Sequence, residues 1–476
     1  MIEGLRRYEH YKPSGQPWLG DVPAHWDIKP NRALFSEVKD RDSAHEEMLS
    51  VTIARGVIRQ KALLKDTSKK DGSRKDRSAY KLVRPGDIAY NKMRAWQGSV
   101  GVSAFRGIVS PAYVVMRPRH EHSARYFHEL FRTPAFAKEA ERWSYGITSD
   151  MWSLRPEHFK MIWSALPPAD EQAAIIRFLD HANLRIESYI HGKRKLIALL
   201  NEQKQAIIDL AVTRGLDPNA PMKDSGVPWL GEVPARWVVA PLKSVSVVQS
   251  GVTLGKSYAK HDELTELPYL RVANVQSGRL DLRTVKKLRL PPREAQRSLL
   301  QTGDVLMTEG GDPDKLGRGC IWTGAVTPCL HQNHVFAVRP ILKRLLPEFL
   351  SAVLGSGYAK QYFLRTAKQT TNLASTNKTT IGQFRVPLPE LPEQATLLRG
   401  LNTLLGPVEL AIAQAAREIA LMREYRTRLV SDVVTGQLDV RAAAQNLPPE
   451  EPAPVHTDGE DEALEEDETP EEDAVA

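Results

Sequence analysis

Ser14-Gly15-Gln16-Pro17-Trp18-Leu19-Gly20-Asp21-Val22-Pro23-Ala24-His25-Trp26 returns later in the chain as Ser225-Gly226-Val227-Pro228-Trp229-Leu230-Gly231-Glu232-Val233-Pro234-Ala235-Arg236-Trp237. Ten of the thirteen positions are identical, at an offset of 211 residues. A period of roughly 20–50 residues would signal a solenoid. A repeat this long means two copies of a whole domain, and so one task carried out at two places. Pro and Trp at fixed spacing make a rigid apolar corner, because Pro fixes φ and Trp buries a large ring. Trp18, Trp26, Trp229 and Trp237 are therefore expected to pack each globular head against a helical bar joining the two, rather than to stack on bases.

The copies stay aligned beyond the motif. Gly86-Asp87-Ile88 matches Gly303-Asp304-Val305 at offset 217, and Arg117-Pro118 matches Arg339-Pro340 at 222. Leu166-Pro167, Glu171-Gln172-Ala173, Thr213 and Leu216-Asp217 recur at the same 222. The drift places small insertions in the first half of the second copy, and the constant offset afterwards points to a rigid element. Stepping by four and three from Ile175 to Leu210 gives nine apolar positions of eleven, and the same steps displaced by 222 give nine of eleven again. A seam sustained over five heptads predicts a coiled-coil helix pair, each helix about 55–60 Å long at roughly 1.5 Å per residue. The seam residues are Ile175, Leu179, Ile186, Leu196, Leu200 and Ile207 in one helix, and Leu397, Leu401, Leu404, Val408, Met422 and Leu429 in the other. Ile176, Phe178, Ile190, Ile197 and Leu199 lie off this seam and suggest further helices packing on it.

The expected architecture is two mixed α/β heads separated by an antiparallel two-helix coiled-coil bar, with pseudo-two-fold symmetry and the outline of a dumbbell. The expected boundaries are residues 1–165 for head one, 166–217 for the first helix, 218–385 for head two, 386–444 for the second helix and 445–476 for a tail. From Leu447 onward the tail is Pro-rich, with 13 Asp/Glu and no Lys or Arg, the composition of a disordered acidic segment. The N-terminal residues lack the apolar core of a signal peptide, and no run approaches the ~18 apolar residues of a membrane span. Two cysteines, Cys320 and Cys329, make no disulfide framework. The expectation is a cytoplasmic protein without membrane contact.

The whole chain carries 65 Lys+Arg against 58 Asp+Glu, a net +7. Without the tail the balance is 65 against 45, or +20. Such an excess suits a polyanion, since each cation near a phosphate releases a condensed counterion. Between Arg59 and Arg94 there are twelve basic residues and four acids, and Phe349 to Pro389 contains no acid at all. Cations mixed with amides and hydroxyls match phosphates and base edges together. The candidate DNA contacts in head one are Lys69, Lys70, Arg74, Lys75, Arg77, Lys92 and Arg94. In head two they are Lys256, Tyr258, Lys315, Arg318, Gln369, Asn372, Asn377 and Lys378.

No catalytic constellation emerges. The Pro-Pro pairs at 167, 291 and 448 have no acid or amide before them and no aromatic after, so a flipped adenine would find no acceptor for its amino group. Gly251-Val-Thr-Leu-Gly255-Lys256-Ser257 has three residues between its glycines where a phosphate loop has four. Asp312-Pro313-Asp314-Lys315 lacks the further acidic partners of a nuclease metal site. Cys320, Cys329, His331 and His334 lack the Cys-x2–4-Cys clip of structural zinc.

Taken together, these residues resemble the specificity (S) subunits of type I restriction–modification systems. The resemblance rests on the paired opening motifs, the Gly-Asp-Ile/Val strand starts and Tyr90-Asn91-Lys92-Met93-Arg94-Ala95-Trp96-Gln97-Gly98. It rests also on Glu309-Gly310-Gly311, on His331-Gln332-Asn333-His334, and on the two Leu-Pro-x-x-x-Glu-Gln approaches to long helices. It extends to about Ala444, leaving only the acidic tail outside. The resemblance implies that each head is a target recognition domain reading one half of a split, asymmetric site in double-stranded DNA. The bar would set the unread spacer and dock two methyltransferase (M) subunits, to which restriction/translocase (R) subunits attach. The chain itself would be non-catalytic and bind no cofactor, with S-adenosylmethionine, ATP and Mg2+ held by its partners. Two other readings fit the same residues: a stand-alone bidentate DNA-binding protein, and a scaffold whose heads bind protein.

Overall fold

The computed structural model describes residues 5–41, 45–65, 77–119, 123–146, 151–259, 261–311, 319–369 and 374–448. The chain forms two compact units, Met1–His191 with Glu418–Ala476, and Gly192–Arg417. The first unit is thus built from both ends of the chain. Asp439 N–H donates to the Arg6 carbonyl at 2.7 Å, and the Tyr11 hydroxyl donates to the Gly436 carbonyl at 3.0 Å.

In the first unit, an antiparallel sheet runs in the order Phe35–Val38, Tyr113–Pro118, Ile88–Asn91, Val100–Val102. Successive residues point to opposite faces, and both faces are covered. Ile88, Tyr90, Val114 and Met116 join a core with Phe35, Phe127, Phe131, Phe136 and Phe159 on the helical side. Ala89 and Val115 join Leu49, Val51 and Val57 of the hairpin Leu49–Thr52/Gly56–Arg59 on the other. The helices start where side chains meet their orphan amides. The Ser123 side chain accepts from Tyr126 N–H, and Thr133 accepts from Phe136 N–H ahead of Pro134.

The second unit repeats the plan. Its sheet runs Ser246–Ser250, Val335–Pro340, Val305–Thr308, Gly319–Ile321. Helices Pro347–Leu354 and Gly357–Thr366 cover one face, and a small core with Leu270, Cys320, Trp322 and Cys329 covers the other. An additional three-stranded layer, Lys286–Leu290, Thr265–Leu270 and Leu330–His331, has no counterpart of this form among the described residues of the first unit. Each sheet is pinned by a matching ion pair. Arg117 grips Asp87 through two bonds of 2.8 and 2.9 Å, and Arg339 grips Asp304 through two of 2.7 Å.

Two long helices, Ala169–Arg214 and Leu391–Val434, pass through both units. Within each unit their segments lie antiparallel. In the first, the Tyr189 hydroxyl donates to Glu418 at 2.6 Å, Arg426 pairs with Glu187, and Ile175, Leu179 and Ala182 share a core with Leu429, Val433 and Val434. In the second, Lys204 meets Glu409 at 2.5 Å, while Val212 and Leu397 share the head core.

The expected seam is partly corrected. Ile175, Leu179, Ile186, Leu397, Leu401, Val408 and Leu429 are buried, whereas Leu200, Ile207 and Met422 are half-buried and Leu196 and Leu404 are exposed. A strict seven-residue step drifts about 20° per heptad on a straight helix, so it walks off a fixed contact face. The residues read as off the seam are corrected too. Ile176 and Phe178 are buried in the first head's core and Ile190 is buried as well, while Leu199 is exposed and Ile197 half-buried. Near a head the helix is wrapped over a wide arc, as in any globular amphipathic helix. Beyond the second helix, Arg441–Gln445 adds a short helix, and Arg177 donates to the Leu447 carbonyl at 2.9 Å. Residues 449–476, most of the acidic tail, lie outside the described residues.

The opening motif owes its identity to one joint. Tyr11–Pro13 pairs with Asp21–Pro23, and Met222–Asp224 pairs with Glu232–Pro234, making the same small hairpin twice. Each hairpin delivers a fully buried tryptophan to the start of a long helix. Trp26 Nε1 donates to Glu171 and Trp237 Nε1 donates to Glu393, both at 3.0 Å. The adjoining His25 pairs with Glu171 and Arg236 with Glu393, both at 2.7 Å. Trp18 packs edge-on against Phe136, and Trp229 lies 6.3 Å from the Tyr362 ring.

Candidate nucleic-acid interface

In each head, the strand that begins after Gly-Asp runs out of the sheet into a loop, and a second segment is tied beside that loop. In head one the strand Ile88–Asn91 ends at Lys92-Met93-Arg94, where Asn91 Oδ1 accepts from Met93 N–H at 3.0 Å and turns the chain. The Lys92 carbonyl accepts Leu154 N–H at 2.9 Å, just after Tyr145 and Ser153 form an antiparallel bridge. In head two the strand Val305–Thr308 ends at Glu309, whose carbonyl accepts Thr376 N–H at 2.8 Å. There Lys368–Gln369 and Gly310–Gly311 flank Ala374–Ser375 in a small antiparallel sheet. Lys92 and Glu309 are separated by 217, and Leu154 and Thr376 by 222, the offsets of the repeat. The frame is held in common, and the side chains mounted on it differ.

Lys92 and Arg94 sit in the head-one loop, half-buried, and Lys92 belongs to a wider group of cations. Lys81 Nζ donates to the carbonyls of Tyr113 (2.6 Å) and Pro111 (3.3 Å). Its ammonium is held below the usual lysine range by burial first, then by the charges of Lys92, Lys39 and Arg41, with Glu37 opposing. A carrier of negative charge would relieve that repulsion. Arg77 stands ahead of the strand Lys81–Val83 and accepts Tyr80 N–H on its carbonyl. Lys69, Lys70, Arg74 and Lys75 lie outside the described residues.

In head two Asn377 and Lys378 stand beside the shared frame. Asn377 caps the helix Lys378–Gln383, its Oδ1 accepting Thr380 N–H at 2.9 Å, so its side chain has a structural duty; Lys378 is exposed. Gln369 is in the strand Lys368–Gln369, while its side chain, Asn372, Lys315 and Arg318 lie outside the described residues. Lys256 and Tyr258 converge elsewhere, on Glu294 of the short helix Pro292–Gln296. The Lys256 bond raises that ammonium and, with Tyr258, lowers the Glu294 carboxyl. Both residues are thus tied to one carboxylate, with Lys256 still exposed.

Sequence reasoning overlooked one group. Met93, Trp96, Tyr145, Met151 and Trp152 lie on neighbouring backbone segments of head one. Trp96 Nε1 donates to the Met93 carbonyl at 2.9 Å, and the Trp96 and Trp152 rings meet edge to face at 5.6 Å. A methyl group on Gly146, next to Tyr145, would overlap the Met151 carbonyl. The 222 offset offered the signal, because it aligns Tyr145–Ser153 with Ala367–Ser375, the stretch that holds Gln369 and Asn372 already singled out in head two.

Among the described residues, no three or more His, Cys, Asp or Glu side chains gather as a metal site. Cys320 and Cys329 are buried thiols pushed up to about 12 and about 11, mainly by burial. His331 is buried with Nδ1 against the Val335 carbonyl at 2.5 Å, and His334 pairs with Glu309. Among the described residues, no helix is long and apolar enough to cross a membrane.

Comparison with known proteins agrees with this arrangement. No family model matches the chain. It is 22% identical over 373 residues to the type I restriction enzyme EcoKI specificity subunit of Escherichia coli K12, covering 76% of this chain and 77% of that one. It is 24% identical over 375 residues to the MjaVIII specificity subunit of Methanocaldococcus jannaschii, covering 76% and 81%. A chain in a solved type I restriction–modification system shares the fold, with a TM-score of 0.60 and 14% identity over 87% of this chain and 98% of that chain. The doubled heads, the paired helix joints and these matches make the chain similar to the specificity subunits of type I restriction–modification systems.

Proposed function

We infer that this chain is the DNA-recognition subunit of a type I restriction–modification complex, non-catalytic itself. Each head reads one half of a split site in double-stranded DNA. The observation that carries this reading is the shared frame at Lys92/Leu154 and Glu309/Thr376, which presents different side chains in the two heads. Two copies of one reader with different surfaces fit two different half-sites. The long helices set the unread spacer and dock two methyltransferase subunits, with restriction subunits attached through them. S-adenosylmethionine, ATP and Mg2+ belong to those partners, and the assembly works in the cytoplasm.

Selection from random duplex DNA by the chain with its methyltransferase tests the reading. The expected result is two short fixed blocks of unlike sequence, separated by an unread stretch of constant length. A single block, or enrichment without sequence preference, contradicts it. Single-block selection together with retained salt-dependent affinity would instead favour a DNA-binding protein using one head.

A further inference from the structure

Head one carries on its shared frame a surface unlike that of head two. Tyr145 is 57% exposed, Met151 50% and Met93 39%, which for large apolar side chains means that much hydrocarbon faces water. They stand on neighbouring backbone segments together with the half-buried Trp96 and Trp152: Tyr145 bridges Ser153, Leu154 N–H reaches the Lys92 carbonyl, and Trp96 joins Met93 to Trp152. At the corresponding places head two has Ala367 for Tyr145, Leu373 for Met151 and Gly310 for Met93, so one large apolar residue stands where head one has three. The head-one patch is flanked by cations. Lys92 and Arg94 are in the same loop as Met93, and the exposed Arg155 follows Leu154. An apolar patch ringed by positive charge complements a surface that offers methyl groups between phosphates, which is the major groove at a thymine.

Stacking on bases suits the patch less well. The two indole rings meet each other edge to face, and the Tyr145 ring packs against His158 at 5.0 Å. The methionines have no ring, but their flexible thioethers fit against a methyl group of varying position.

We propose that head one recognises its half-site in part through thymine 5-methyl groups, contacted by Met93, Tyr145 and Met151. The proposal rests on the chain being a DNA-recognition subunit, and its test separates the two claims.

The test uses the full chain in complex with its methyltransferase and duplexes carrying the selected site. Thymine is replaced by uracil in one block at a time, which deletes the methyl and leaves every hydrogen-bonding group. The expected loss is about fourfold in affinity per contacted methyl, the effect of removing one buried carbon from an apolar contact. It should occur in one block only. In a Met93→Ser/Tyr145→Ser/Met151→Ser triple variant the thymine and uracil duplexes should bind alike, with an unchanged salt slope because no phosphate contact is lost. Absence of thymine from both blocks overturns the proposal. So does equal binding of thymine and uracil duplexes by the unaltered chain, or a full fourfold effect persisting in the triple variant. In each of these cases the two-block preference itself survives. Its absence in the unaltered chain would overturn the recognition reading and the proposal together.

Discussion

Replacing Gln394 by Ala should open the second helix joint and leave the first intact. Gln394 is fully buried one residue after the glutamate that holds Trp237. Its Oε1 accepts Leu346 N–H at 2.9 Å, and its Nε2 donates to the carbonyls of Arg344 at 2.8 Å and Pro389 at 2.9 Å. The amide thus binds the loop before Pro347–Leu354 to the turn that starts the long helix. Alanine leaves one buried donor and two carbonyls without this partner, at about 1–1.5 kcal/mol each, or about 3–4 kcal/mol together. In head one Gln172 makes two such bonds, accepting Ser123 N–H at 2.9 Å and donating to Pro167 at 2.8 Å. Gln172→Ala should cost about 2–3 kcal/mol on the same scale. Amide hydrogen exchange on the full chain reads both. Gln394→Ala should reduce protection a few hundred-fold, as about 3–4 kcal/mol requires, in peptides spanning 344–346 and 389–394. Gln172→Ala should act instead on those spanning 123–126 and 167–172. Gln394→Glu should be no milder than Ala, because its carboxylate faces two carbonyls. Protection within about fivefold of the unaltered chain would refute the joint, since that corresponds to only about 1 kcal/mol. The same peptides opening in both alanine variants would refute its duplication.

Other consequences are as direct. Burial holds the His128 imidazole down at about 4, and its Nδ1 accepts Val102 N–H at 3.1 Å. The unfolded chain takes up this proton near the ordinary value of about 6.5, so the stabilisation is present above that pH and is lost as pH falls toward 4. The difference amounts to about 3 kcal/mol at about 1.4 kcal/mol per unit, and His128→Asn should flatten this part of a melting-temperature profile between pH 7 and 4.5. Lys92→Gln should weaken binding to all duplexes alike and reduce the slope of log affinity against log salt by about one; an unchanged slope would remove Lys92 from the phosphate contacts. Inserting four residues, about one turn or 6 Å, into both long helices should lengthen the unread spacer by about two base pairs at about 3.4 Å each, with both blocks unchanged. Altered blocks would contradict the helices as a spacer.

Much of the fold was legible because its joints are made twice. Trp26 and Glu171 are 145 residues apart, yet both must be kept for one hydrogen bond, and the same demand applies to Trp237 and Glu393. Matched offsets therefore exposed the domains and the helices before any contact was known. The helix faces were less legible. A heptad template assigns one stripe, whereas Phe178 is buried by a head and Leu404 by nothing among the described residues. Of the candidate site, Lys92 and Arg94 were visible as charge in a basic stretch. Tyr145 and Met151 were not, because their place beside Lys92 comes from a backbone bond between Leu154 and Lys92 across some sixty residues. Charge composition also said nothing of Glu294, which ties down both Lys256 and Tyr258.

Mapping adenine methylation in host DNA with and without this gene tests the central claim most directly. The account predicts a split, asymmetric methylated motif that disappears with the gene, together with a methyltransferase that co-purifies with the chain. A co-purifying methyltransferase whose methylated motif is unchanged by loss of the gene would contradict it.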